Sequence, residues 1–260
     1  MILAADHVDC GYKGQAILHD VNLAFRSGEV VCLLGPNGVG KTTMFKTMLG
    51  FLAPIRGRVT LDGKPRSDFS RKQFAQLVAY VPQLHEPPFP FSVLDVVLAG
   101  CASRLGPLAT PSKEDYAKAE ETLEQLGVSY LRDMTFTEIS GGEQQMTLIA
   151  RALVQDPRML VMDEPTAALD FGNQVRVLSC VRRLAAEQGR GVIMTSHNPD
   201  HAFLCCSRAV LIRRDRTLID GPVDEVVTET NLAAAYGIRV RITQATGDDG
   251  APIKTCVPLL

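Results

Sequence analysis

The chain has 260 residues, 46% hydrophobic and 22% charged, enough apolar material for one sizeable core or two small ones and too much for a disordered segment. A net charge of −2 and a pI near 6.2 leave no electrostatic footprint for nucleic acid, and none is expected as a partner. No apolar run reaches the length of a membrane span and Met1–Asp9 lacks the pattern of a leader, which predicts a cytoplasmic protein whose membrane contact goes through a partner.

Leu3–Val8 and Val21–Phe25 are predicted strands, with a turn-like Gly11-Tyr12-Lys13-Gly14 between them. The apolar run Val30–Leu34 is a predicted buried strand, and Lys41–Leu49 a predicted helix. Between and into them runs Gly35-Pro36-Asn37-Gly38-Val39-Gly40-Lys41-Thr42-Thr43, which fits the phosphate-binding pattern G-x-x-x-x-G-K-[ST]. Its glycines let backbone N–H groups turn inward as an anion nest, and the helix aims its positive dipole end at the same point. Lys41 would then reach the β- and γ-phosphates of a nucleotide, with the Thr42 hydroxyl on Mg²⁺.

Arg58–Leu61 is a short predicted strand closed by Asp62-Gly63; Ser70–Gln76 is a predicted helix and Leu77–Val81 a strand stopped by Pro82. Pro82, Pro87, Pro88 and Pro90 crowd the next segment, which predicts a linker or hinge. From Ser92 the period is helical: a short helix at Val93–Gly100, a second at Lys113–Leu126 with Tyr116, Ala119, Leu123 and Leu126 on one face, and a third at Gly141–Val154 with Ser140 as N-cap. Strands return at Met159–Met162 and Gly191–Thr195, on either side of a helix around Val175–Ala186, and Arg208–Arg213 with Thr217–Asp220 forms a late hairpin. Ile238–Leu260 is a weak terminal hairpin or a loose tail, expected to be dispensable for the chemistry of the nucleotide-binding core. This order predicts an α/β fold: a parallel-sheet nucleotide-binding core over residues 1–237, with a helical subdomain inserted at about 87–155 and a tail at 238–260.

Two further stretches carry chemistry. Met159–Met162 ends in Asp163-Glu164, a pair of carboxylates whose repulsion a Mg²⁺–nucleotide would relieve; Asp163 would hold the metal and Glu164 take a proton from the attacking water. Ile139-Ser140-Gly141-Gly142-Glu143 is a second helix start suited to an anion, redundant in a monomer but sensible if it caps the nucleotide of another copy. His197 follows a core strand, where ligands of open α/β sheets bind. The other histidines form no metal-ligand spacing and read as structural or exposed, and the seven cysteines read as packing thiols of a reducing compartment.

The phosphate loop, Ile139–Glu143, Asp163-Glu164, Ala168-Leu169-Asp170 and His197 occur in the order of the ATP-binding cassette (ABC) ATPases, which the chain resembles from about Leu3 to Tyr236. The resemblance implies a RecA-like core with an antiparallel N-terminal β subdomain, and a head-to-tail dimer of two cassettes, alike or different, sandwiching two ATP molecules. In that scheme Ser140, Gly141, Gly142 and Glu143 contact nucleotide in trans, Asp170 lies in the interfacial turn and His197 holds the γ-phosphate in cis. The resemblance also implies that Tyr12 stacks on adenine and that Gln83 touches Mg²⁺ and the attacking water at the hinge to the helical subdomain. Ile139, Glu143 and Asn198 depart from the commonest family letters without replacing a group assigned to chemistry. Pro90–Gly100, Leu169–Gln174 and Ser196–Ala202 resemble the importer subfamily for iron–siderophore complexes, haem and cobalamin, and are similar also to molybdate and tungstate importers. That likeness implies a peripheral subunit on the cytoplasmic face of the inner membrane, serving a separate permease and, indirectly, a substrate-binding protein. The groove at Gln83–Phe91, with Phe89 and Phe91, is the expected seat of a permease helix. A regulatory ATPase without a transport role is the alternative of a different class.

Overall fold

A computed structural model of the chain describes residues 1–83, 90–105, 109–247, 250 and 252–259. It divides into two units, Met1–Arg66 with Val181–Leu260, and Ser67–Cys180. The first stretch runs through β1 (Ile2–Tyr12), β2 (Gln15–Arg26), β3 (Val30–Leu34), α1 (Lys41–Met48), β4 (Arg56–Leu61) and β5 (Lys64–Pro65). β1 and β2 pair antiparallel from Ile2↔Arg26 to Tyr12↔Gln15, and β4 pairs with the other edge of β1, giving a sheet ordered β2-β1-β4-β5. α1 packs on β1, burying Met44, Phe45 and Met48.

The second unit holds α2 (Arg71–Leu77), β6 (Val78–Val81), α3 (Val93–Leu98), α4 (Lys113–Gln125), α5 (Gly141–Leu153), β7 (Met159–Met162) and the start of α6 (Phe171–Gln188). β6 and β7 are parallel, with Val81 opposite Met162, and β7 is buried at every position. α2, α3, α4 and α5 each open on a serine that accepts from the backbone N–H three residues on, while the side chain there accepts from the serine N–H. These reciprocal bonds satisfy two orphan donors per helix and fix where each begins. α4 buries Ala119, Thr122 and Leu123 and leaves Tyr116 exposed, so its inner face is one turn narrower than the apolar spacing predicts.

The chain then returns to the first unit with β8 (Gly191–Ser196), α7 (Asp200–Cys205), β9 (Arg208–Ile212), β10 (Leu218–Pro222), α8 (Val223–Val226), α9 (Glu229–Tyr236), β11 (Val240–Thr246) and β12 (Pro252–Pro258). β3 lies between β8 and β9, parallel to both, and β10 closes antiparallel on β9. A strand with parallel neighbours on both sides is covered on both faces, which is why Val30–Leu34 is apolar and buried throughout. The terminal segment is a hairpin, β11 and β12 paired from Val240↔Pro258 to Thr246↔Pro252. Among the described residues no helix is long and apolar enough to cross a membrane, and no group of His, Cys, Asp and Glu could hold a metal ion by itself. No disulfide joins the cysteines, five of which are buried, and burial pushes the Cys10 thiol up to about 11.

Candidate nucleotide site

In the first unit the phosphate-loop sequence leaves the carboxyl end of β3 and ends where α1 begins. Gly40 is the N-cap of α1 at φ 115°, where a Cβ would stand 3.0 Å from Ile17 Cγ2 and Leu18 Cγ; conformation and space both require glycine. With no side chain at the cap, the first N–H groups of α1 face the loop, and the helix dipole adds to them. Lys41 is buried and folds back along the loop, its Nζ donating to the Gly35 carbonyl at 2.6 Å and the Pro36 carbonyl at 3.1 Å. Those bonds place an ammonium inside the same concavity. Asn37, Gly38 and Thr42 are exposed, while Val39 and Thr43 are buried and anchor the loop.

Two other predicted residues belong to this unit. Leu34 lies opposite Ser196 in the β3–β8 register, so Gly35 and His197 leave the same edge of the sheet side by side. His197 is exposed. Tyr12 ends β1 at the tip of the β1–β2 hairpin and is 42% exposed, an aromatic face open for stacking.

The remaining residues lie in the second unit, in two groups. Asp163 follows β7 and is buried, its N–H bonded to the Val81 carbonyl at 2.9 Å. Glu164 follows, half-buried, at φ 46°. Gln83, exposed, lies two residues beyond the end of the neighbouring strand β6, so the parallel register carries it and the two carboxylates to one edge. Sequence reasoning missed Tyr80: burial pushes its hydroxyl up to about 12, and the charge of Asp163 and a hydrogen bond to that carboxylate add to the shift. A lone tyrosine in the apolar strand Val78–Val81 was the available signal.

At the start of α5 the Ser140 N–H and Oγ–H both donate to Glu143 Oε2, at 2.9 and 2.7 Å, and Tyr130 donates to Glu143 Oε1 at 2.8 Å. The Ser140 and Tyr130 bonds, then the Arg176 charge, hold the Glu143 carboxyl below the usual glutamate range. Gly141 is half-buried and Gly142 buried; a Cβ on Gly142 would stand 2.3 Å from Asn173 Cγ, so only glycine lets α5 meet that side chain. Asn173 in turn donates its backbone N–H and Nδ2 to the two carboxylate oxygens of Asp170, at 2.8 and 2.9 Å. The Ser140 turn and the turn at Asp170 are thus one packed assembly, a link the sequence spacing did not reveal. Phe171, next to it, is 84% exposed. Residues 84–89, with Phe89 of the expected permease groove, lie outside the described residues; Phe91 is exposed, and its carbonyl accepts from Phe136 N–H at 2.9 Å.

A family profile described as ABC transporter matches residues 18–167. Over 91% of this chain and 89% of its own length, an ABC transporter ATP-binding protein of Haemophilus influenzae without an assigned cargo is 38% identical. The hemin import ATP-binding protein HmuV of Burkholderia thailandensis is 36% identical over 97% of this chain and 98% of its own. The molybdate import ATP-binding protein MolC of Haemophilus influenzae is 31% identical over 94% and 91%. Among solved structures, a chain assigned to a metal-chelate type of ABC transporter, in an inward-facing conformation, superposes with a TM-score of 0.88 at 30% identity, covering 99% of this chain and 97% of that one. The chain therefore belongs to the ABC transporter family. It is one of that family's ATP-binding, ATP-hydrolysing cassettes, with the cassette fold of a P-loop NTPase.

Proposed function

We propose that this cassette energises import of an iron chelate, haem or a siderophore complex, through a separate permease on whose cytoplasmic side it sits. The near-full-length likeness to a hemin import subunit and to a metal-chelate type transporter carries this reading. The likeness to MolC keeps molybdate as a second cargo. The cargo test is uptake in cells lacking the gene: labelled haem uptake should be lost, molybdate uptake retained, and haem uptake restored by the wild-type gene but not by Lys41→Ala. Retained haem uptake with lost molybdate uptake would transfer the assignment, and loss of neither would favour the regulatory alternative.

We assign the residues as follows. Gly35–Thr43 cradle the phosphates, with Lys41 as their cation, and Tyr12 stacks on the base. Each unit carries oxygen donors of the hard kind Mg²⁺ prefers: the exposed Thr42 hydroxyl in the first, the Asp163 carboxylate and the Gln83 amide in the second. When bound, the metal neutralises charge on the β- and γ-phosphates. Glu164 takes the proton of the attacking water, Gln83 orients that water, and His197 donates to the γ-phosphate. Ser140, Gly141, Gly142 and Glu143 meet the nucleotide of a second cassette, with Asp170 in the interface. The exposed aromatic Phe171 beside Asp170 supports an interface there, since a large apolar side chain left in water gains by being covered.

A further inference from the structure

The terminal hairpin is tied to the turn that carries His197. Cys256 in β12 donates its backbone N–H to Asp200 Oδ1 at 2.7 Å, and the Thr255 hydroxyl donates to Asp200 Oδ2 at 3.1 Å. Lys254 beside them pairs with Asp224 at 2.7 Å and lies over the Phe203 ring at 5.9 Å, while β11 is held by Ile242 N–H on Glu229 at 2.9 Å. Both oxygens of Asp200 are therefore committed to β12. Its N–H is committed in the other direction, to Asn198 Oδ1 at 3.0 Å.

Asn198 and Ser196 flank His197, and His201 pins both. His201 Nδ1 is 2.9 Å from Ser196 Oγ, and its Nε2 is 3.4 Å from Asn198 Nδ2. The Asn198 amide nitrogen can only donate, so Nε2 accepts and Nδ1 carries the proton. Ser196 Oγ then accepts from His201 and from Asn198 N–H at 2.9 Å, and donates to the Asn198 carbonyl at 3.2 Å. This arrangement needs a neutral imidazole. Burial holds His201 down at about 4, and the nearby His197 adds to the effect. A continuous set of bonds thus runs from β12 through Asp200 and α7 to the two residues on either side of His197.

We infer that the C-terminal hairpin is a positioning element for ATP hydrolysis, with Asp200 and His201 as the positioning residues that fix the His197 turn. The inference rests on the assignment of His197 to the γ-phosphate, and it opposes the expectation that the tail is dispensable. Asp200 touches no nucleotide; it acts through His197, so its effect falls on kcat and not on nucleotide affinity.

Steady-state ATPase of the full-length chain tests this with Asp200→Ala, Asp200→Asn, His197→Ala and the double variant His197→Ala/Asp200→Ala, each first checked for folding by its melting curve. Asp200→Ala should lower kcat about tenfold, within the roughly hundredfold that misplacing a reacting group can cost. ATP affinity should stay within about twofold, since the phosphate loop is untouched. Asp200→Asn keeps an oxygen for the Cys256 N–H and should recover most of the loss. In the His197→Ala background, adding Asp200→Ala should change nothing further, because the pathway has lost its end. Normal kcat in folded Asp200→Ala beside a strongly impaired His197→Ala would overturn the inference and leave the His197 assignment standing. Near-normal turnover in His197→Ala would remove that assignment and the inference with it. Additive losses in the double variant would mean that the hairpin acts elsewhere.

Discussion

α1 and α5 both start at a turn that presents helix N–H groups to an anion, yet the two starts are furnished in opposite ways. At α1 the cap is Gly40, with no side chain, and the nearby charge is the Lys41 ammonium held on the loop carbonyls. At α5 the cap is Ser140, and its own N–H and hydroxyl are engaged by the Glu143 carboxylate. The first is a positive concavity suited to take phosphate in a lone subunit. The second already answers its dipole with an internal carboxylate, so it suits a weaker anion contact, made when another molecule brings phosphate to it. On the proposed assignment, the same helix physics would serve a permanent site in one unit and a conditional one in the other.

Variants at Lys41 and Glu164 test this contrast most sharply. Lys41→Ala should abolish nucleotide binding and turnover. Glu164→Gln should lower turnover about a hundred- to ten-thousandfold, the usual range for a general base, while ATP binding survives. Glu164→Gln should therefore elute as a dimer with ATP and Mg²⁺, because one less negative charge stands by the γ-phosphate, whereas Lys41→Ala stays monomeric. Identical elution of the two variants would erase the distinction between permanent and conditional sites.

A smaller effect is expected at Gly142. Alanine there displaces Asn173 and with it the bonds to Asp170, so ATPase should fall about tenfold while equilibrium ATP binding by the monomer is unchanged. Adding Asn173→Ser to relieve the crowding should restore part of the rate. Reduced ATP binding in Gly142→Ala would contradict a site that acts only in trans.

The smallest effect concerns Glu143. Its folded-state pKa is depressed, so its contribution to stability is present above the ordinary value of 4.5 and is lost as pH falls through the lower, folded value. Glu143→Gln should flatten the acid limb of the melting temperature and cost less than about 1 kcal/mol at neutral pH, because the amide still accepts from Ser140. An unchanged acid limb would show that the cap is not charge-assisted.

Much of this was legible because local chemistry and global fold agree. Val30–Leu34 and Met159–Met162 are uniform apolar runs ending in phosphate- or metal-type residues, and both form buried strands at their predicted places. Ser140, read as an N-cap, opens the helix that begins at Gly141, and the helix read from Ser70 begins one residue later, with Ser70 as its cap. What escaped depends on contacts between distant residues. No period marks Tyr80 as a partner of Asp163, or Asn173 as the side chain that excludes a Cβ at Gly142. Asn198-Pro199-Asp200 carries the letters of a turn into a helix, but its tie to Thr255 and Cys256 joins residues more than fifty positions apart. The short helices α7, α8 and α9 were missed because runs of four to eight residues leave too few turns for an apolar period.

Glu164 sits at φ 46°, in the left-handed region that glycine and asparagine enter readily and other residues enter at about 1–2 kcal/mol. If Glu164 is the general base proposed above, a selection that rewarded only resistance to heat would drift this position toward glycine or asparagine and leave a sturdier, silent cassette. A laboratory evolution for thermostability that does not score turnover should be expected to lose the enzyme at this residue early. On the assignment proposed above, glutamate at such a backbone angle gives up conformational preference for the base it supplies.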